Sequence, residues 1–216
     1  IAMLSLWLAQ HQMDNKLFET FNINTQALPL HNITQIQCGN ACRLDWNIVC
    51  PHEKDDEVFV FGNPPYLGAR NQSIEQKEDM KVVFKDLQFG MLDYVVCWFF
   101  KAAYYISKSV SVLCAFVSTN SITQGIQISA MWKPLFNNDI DIIFAYQSFK
   151  WDNNAKSKAG VTCVIIGIGD KSVKRPRLLY TNTNTLKLKS ISPSLSTTPL
   201  SIVYPTNKNM NGFKPL

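Results

Sequence analysis

The chain has 216 residues, 46% of them hydrophobic and 17% charged, enough to bury one substantial core and too apolar for a disordered segment. The formal charge of +5 suits a polyanionic partner without requiring one. The longest apolar run, Val95 to Phe100, falls far short of the roughly 20 residues a bilayer span takes, and no basic n-region with a small-residue cleavage site marks a secretory signal, so a cytoplasmic protein with no membrane partner is expected.

The opening "IAMLSLWLAQ" reads as the interior of a helix running to about Met13, with Leu4, Trp7, Leu8 and His11 at helical spacing. It starts at Ile1 rather than Met, so a natural start upstream is expected. "ITQIQ" (Ile33 to Gln37) alternates and meets Cys38-Gly39-Asn40, as a short strand ending in a turn does. "EVFVFG" follows as a strand apolar on both faces, the pattern of a parallel sheet covered on two sides. Ser73, with Gln76 three residues on, predicts a capping box for "SIEQKEDMKVVFKDL". A longer helix is predicted from about Leu92 to Ser107, a third strand over Val110 to Ser118, a loop "TNSITQG", and a helix around Ile126 to Phe136. Two last strands, Ile140 to Tyr146 and Val161 to Gly169, are joined only by the loop from Gln147 to Gly160, which predicts an antiparallel pair. Beyond Thr181 the composition turns rich in Thr, Asn, Ser and Pro, the mark of a linker. Strands alternating with helices predict an α/β domain over residues 1–180, with 181–216 as a linker or the start of a further region.

Of the six cysteines, Cys97, Cys114 and Cys163 lie in apolar runs and read as small buried hydrophobes. Cys38, Cys42, Cys50 and His52 could surround a zinc ion, but they lack the paired C-x2–4-C spacing of structural sites, so no metal is assigned. The basic cluster "KSVKRPR" (Lys171 to Arg177) can meet phosphates or stand as a solvated loop.

The chemistry concentrates in "VFVFGNPPYLG". In open α/β sheets ligands bind beyond the carboxyl ends of strands, and Asn63-Pro64-Pro65-Tyr66 stands at one. Asn63 offers a side-chain carbonyl acceptor. Pro64 offers a backbone carbonyl whose direction is fixed because Pro65 follows, and Tyr66 adds a flat stacking face. Two acceptors beside an aromatic plate describe a receptor for a planar ring bearing an amino group. An aromatic amine is a poor nucleophile because its lone pair delocalises into the ring. When both N–H bonds point at fixed acceptors, the nitrogen moves toward tetrahedral character and the pair is freed for attack.

"GNPPY" after a buried strand resembles motif IV of the amino-group DNA methyltransferases that use S-adenosylmethionine. The stretches "IAMLSLWLAQHQM", "CGNACRLDW", "GNPPYLGARNQSIEQKEDM", "LDYVVCWFFKAAYYI", "AFVSTNSITQG", "WKPLF" and "FKWDNNAKSKAGVTCVIIG" extend the likeness over about Ile1 to Gly169. They resemble most the methyltransferase region of single-chain type IIG restriction–modification enzymes and their relatives in phage defence. The resemblance implies a class I methyltransferase sheet, Rossmann-like, of order 3-2-1-4-5-7-6, of which this chain keeps strands 3 to 7 with the last one antiparallel. It implies transfer of a methyl group from S-adenosylmethionine to the N6 amino group of an adenine flipped out of double-stranded DNA. Asn63 and Pro64 then accept from the amino group and Tyr66 stacks on the base. Phe149 and Trp151 match the aromatic segment lining the far side of the base pocket. Asn40 takes the place of an acidic residue near the cofactor's adenine, with Asp45 as rival.

Three features of such enzymes are missing from the sequence: the glycine-rich cofactor loop, the acid that holds the ribose, and a target-recognition region. The first two are expected upstream of Ile1 and the third after the tail, so this stretch alone is expected to bind cofactor poorly and to be inactive. Gly167-x-Gly169 is a weak substitute for the loop, since no helix opens after it. No PD…(D/E)xK nuclease pattern is present. Three rival readings remain: a non-catalytic nucleic-acid-binding remnant, a cytosine N4 enzyme, and a protein glutamine methyltransferase.

Overall fold

The structure, a computed structural model, describes residues 2–24, 36–53, 55–85, 87–109, 111–151 and 161–196. Its centre is a mixed sheet of six strands: β1 (Val58–Gly62), β2 (Val112–Thr119), β3 (Ile140–Lys150), β4 (Thr162–Asp170), β5 (Arg177–Tyr180) and β6 (Thr185–Leu188). Their order is β1-β2-β4-β3-β5-β6. β1 and β2 are parallel, β4 runs antiparallel to both β2 and β3, and β5 lies parallel to β3. The antiparallel β3–β4 pair is the one that the missing crossover helix predicts. β5 and β6 form a hairpin that carries the sheet into residues 185–188, within the stretch read as linker. The strand expected over Ile33 to Gln37 lies mostly outside the described residues, and Ile36 and Gln37 carry no strand.

Helices α1 (Ala2–Phe21), α2 (Trp46–Val49), α3 (Ile74–Phe84) and α4 (Val96–Ile106) precede or separate the first strands. No described helix is long and apolar enough to cross a membrane. The capping box at α3 is present: Ser73 Oγ accepts from Gln76 N–H, and Gln76 Oε1 accepts from Ser73 N–H. α4 begins at Val96 rather than near Leu92, because residues 92–98 are wound into i→i+3 turns. The helix predicted around Ile126 to Phe136 is broken into α5 (Gly125–Gln127), a π turn (Ile128–Trp132) and α6 (Lys133–Asn137). Pro134 has no N–H to give to the preceding turn, which widens the helical register there.

The core lies between the sheet and these helices. Phe99 of α4 meets Phe116 of β2 edge-on at 5.3 Å and Trp132 at 6.0 Å, and the Trp132 indole donates to the Ile122 carbonyl at 2.9 Å. Cys97, Cys114 and Cys163 are buried as expected, joined by Cys42. Burial alone pushes the Cys114 thiol up to about 12. β1 departs from the expectation of burial on both faces: Phe59 is 59% and Phe61 83% exposed. The described helices that pack on the sheet gather on the opposite face, so these rings stand over an open hollow of about 740 Å³ shared with Leu113, Phe144 and Tyr146.

Candidate active site

β1 delivers Asn63-Pro64-Pro65-Tyr66 at its carboxyl end, one residue past the point where Gly62 pairs with Phe116 of β2. All peptide bonds here are trans. Asn63 and Pro65 are exposed, Pro64 is buried and Tyr66 half-buried. Asn63, Pro64 and Pro65 form one wall of a hollow of about 510 Å³. The remaining walls include Gly39, Ala41, Leu44 and Trp46 on one side and Trp98, Tyr105 and Phe116 on the other. Among the described residues neither the Asn63 amide nor the Pro64 carbonyl enters a hydrogen bond, so neither acceptor is spent within the protein.

Tyr66 turns away from this hollow. Its phenol lies beside Cys163, and burial together with that thiol pushes its pKa up. Cys163 pairs with Phe149 across the β3–β4 ladder, so the Tyr66 phenol lies beside the residue opposite Phe149. Trp151 follows Phe149 with ring centroids 6.2 Å apart and stands 39% exposed, and neither ring lines the hollow that holds Asn63.

The two residues expected near the cofactor sit beside the hollow with their side chains already engaged. Asn40 donates to Asp79 Oδ2 at 2.8 Å while its Oδ1 accepts from Cys42 N–H at 2.9 Å. Asp45 caps α2, accepting from the backbone and side-chain amides of Asn47, which hold its carboxyl below the usual range. Asp79 is the centre of a larger cluster. It is almost fully buried and takes hydrogen bonds from Arg43 Nε at 2.6 Å, Asn40 and the Tyr94 hydroxyl. Burial opposes ionisation of Asp79, but those donors outweigh it and hold the carboxyl below its ordinary value.

Cys38, Cys42, Cys50 and His52 are not brought together, and among the described residues no group of three His, Cys, Asp or Glu side chains is arranged to hold a metal ion. Gly167 and Gly169 lie inside β4, where a Cβ on Gly167 would run into the Phe144 ring and one on Gly169 would press on Leu113 at 2.7 Å. Their smallness serves sheet packing and forms no loop. Trp98, within the helix predicted over Leu92 to Ser107, and Trp46, to which the sequence assigns no role, line the hollow. The signal available for Trp98 was the aromatic density of "LDYVVCWFF".

The Asn63–Pro65 segment at the end of β1 thus forms one wall of a hollow lined by aromatic side chains. The family model for the MmeI DNA-methyltransferase domain matches residues 1–181, and the chain belongs to that family. It is 46% identical over 198 residues to DNA methyltransferase A of Bacillus subtilis (strain 168), a match covering 91% of this chain and 22% of that protein. It also superposes on the type IIL restriction–modification enzyme MmeI, solved in complex with DNA, with a TM-score of 0.79 and 37% identity over 94% of this chain and 28% of that one. The chain thus spans about a quarter of the length of these relatives.

Proposed function

We propose that residues 1–180 are part of the catalytic core of a class I methyltransferase that transfers a methyl group from S-adenosylmethionine to the N6 amino group of adenine in DNA, within a restriction–modification or phage-defence system. In this reading β1, β2, β4 and β3 take the places of strands 4, 5, 7 and 6 of that fold. The observation that carries the proposal is the pair of unspent acceptors, Asn63 Oδ1 and the Pro64 carbonyl, at the carboxyl end of β1.

A base stacked in a duplex cannot reach such a turn, so the adenine is flipped out of the helix. The two acceptors take both N–H bonds of its amino group and free the nitrogen lone pair for displacement. Tyr66, beside Cys163, and Phe149, opposite Cys163 in the ladder and 6.2 Å from the Trp151 ring, offer ring faces to the extruded base. No strong base is needed, because the nitrogen becomes acidic once it is alkylated.

The donor set of the hollow fits the adenine end of the cofactor. Leu44, Trp46 and Trp98 provide an apolar slot for a flat ring, and Asn40 and Asp45 are chain neighbours of its lining residues Gly39, Ala41, Leu44 and Trp46. When bound, S-adenosylmethionine supplies a methyl group made electrophilic by its sulfonium. The test is nucleoside analysis of DNA after incubation with the full-length protein and S-adenosylmethionine. N6-methyladenine is the expected product. N4-methylcytosine, or DNA bound but left unmethylated, would contradict the proposal.

A further inference from the structure

We infer that Asp93 is a positioning residue that sets the direction of the Asn63–Tyr66 turn, an inference that rests on the methyl-transfer reading above. Asp93 lies 26 positions from Leu67 and is 4% exposed, yet it forms no ion pair among the described residues. Its Oδ1 accepts from Leu67 N–H at 2.8 Å and from Val95 N–H at 3.2 Å. Its Oδ2 lies 3.4 Å from both the Thr119 and Ser121 hydroxyls where the chain leaves β2; these share a hydrogen bond at 2.6 Å, and the hydroxyl whose proton is left over donates to the carboxylate.

A buried carboxylate with no cation is costly, and a side chain with four acceptor sites is needed only where several donors converge. The donors that converge here come from three pieces of the site: the residue after Tyr66, the start of α4 and the exit of β2. The other backbone group of Leu67 is held as well. Its carbonyl accepts from Tyr94 N–H at 3.0 Å and from Gln72 Nε2 at 3.0 Å, and Gln72 also donates to the Leu92 carbonyl.

The four-residue turn is therefore pinned at both ends. Gly62 is fixed in the β1–β2 ladder, and Leu67 is fixed by Asp93 and its neighbours. Between the pins, the prolines leave the backbone little freedom. Asp93 does not touch the proposed substrate. It acts through Leu67 on where the Asn63 amide and the Pro64 carbonyl point, and through Thr119 and Ser121 on how β1 and β2 sit relative to each other at that end.

The experiment compares Asp93→Ala, Asp93→Asn and Asp141→Ala in the full-length protein. Asp141 pairs with Arg177 across the β3–β5 ladder and serves as a buried-charge control outside the site. Steady-state methyl incorporation, cofactor affinity and thermal unfolding are measured for each. Asp93→Ala is expected to lower kcat about 100-fold, the scale of a misplacement near 1 Å, while S-adenosylmethionine affinity holds. Asp93→Asn keeps an acceptor for Leu67 and restores most of the rate. Asp141→Ala loses thermal stability but keeps kcat.

A kcat for Asp93→Ala that is kept despite lost stability, as in the control, would overturn the inference, as would a change confined to KM. If Asp93→Ala fails to fold, the double variant Thr119→Val with Ser121→Ala removes the Oδ2 partners alone, and an unchanged kcat there overturns it equally. A wild-type protein inert on DNA sinks the methyl-transfer reading instead. Hydrogen exchange of the peptide over residues 63–71 then decides the positioning role: slow in wild type and fast in Asp93→Ala supports it, and equal rates refute it.

Discussion

Asn63 and Tyr66 are three residues apart and face different surroundings, one an open hollow and the other the buried Cys163. That division of labour follows from the local chain. Two successive prolines hold the backbone extended, so the chain advances without coiling and carries Tyr66 beyond the hollow that Asn63 lines. Tyr66→Phe keeps the ring and deletes only the hydroxyl beside Cys163, so it should leave flipped-base binding close to wild type. Tyr66→Ala removes the face itself and should weaken binding of DNA carrying an extruded target base by about 1–3 kcal/mol. Titration against duplexes with an abasic or mismatched partner opposite the target checks this, and equal losses for the two variants would refute the stacking role. The proposed acceptors were open to reading from sequence because they sit within four adjacent residues. Asp93 was not, because its meaning lies in contacts with Leu67, Thr119 and Ser121, which only the fold brings near. Much the same holds for the basic cluster. Arg177 is buried on Asp141 and Arg175 pairs with Glu57, so two of its charges are spent within the protein.

At the scale of elements, the segment Asn40–Arg43 is tied to α3 through one carboxylate. Asp79 collects Arg43, Asn40 and Tyr94, and the Tyr94 hydroxyl lies 3.8 Å from Cys42 Sγ. This cluster fixes the wall of the hollow formed by Gly39, Ala41 and Leu44. The Asp79 carboxyl is depressed in the folded state, so its contribution to stability is complete above the unfolded carboxylate value of about 3.9 and is lost as pH falls from there through the folded pKa. Thermal unfolding midpoints measured from pH 6 to pH 2 should therefore fall more steeply for wild type than for Asp79→Asn. Parallel curves would show that the cluster does not couple the segment to α3. The elements most legible in the sequence were those with strong local signals: the Ser73–Gln76 box, the apolar strands, and the antiparallel β3–β4 pair implied by a short connection. The β5–β6 hairpin was masked by its polar composition. Its strands have four residues each, and β6 turns only alternate side chains toward the protein, so "TLKL" among Thr and Asn carries little apolar signal.

Across the whole molecule, the described helices that pack on the sheet cover one face, and the site forms where that layer meets the carboxyl ends of β1 and β2. The far edge is locked by Arg177, whose guanidinium reaches Asp141 Oδ2 at 2.9 Å and also donates to the carbonyls of Val173 and Arg175. The two faces thus serve different ends: one is a packed support for the Asn-Pro-Pro-Tyr turn, while the other presents Phe59 and Phe61 in the open. The single-turnover rate of methyl transfer by the full-length protein, with wild type compared to Asn63→Ala at saturating S-adenosylmethionine and DNA, bears most directly on the proposed pocket. The account predicts a fall of about 100-fold or more for the variant, the scale set by loss of one preorganised hydrogen-bond partner, with cofactor affinity retained. An Asn63→Ala protein that transfers methyl groups at the wild-type rate would contradict it.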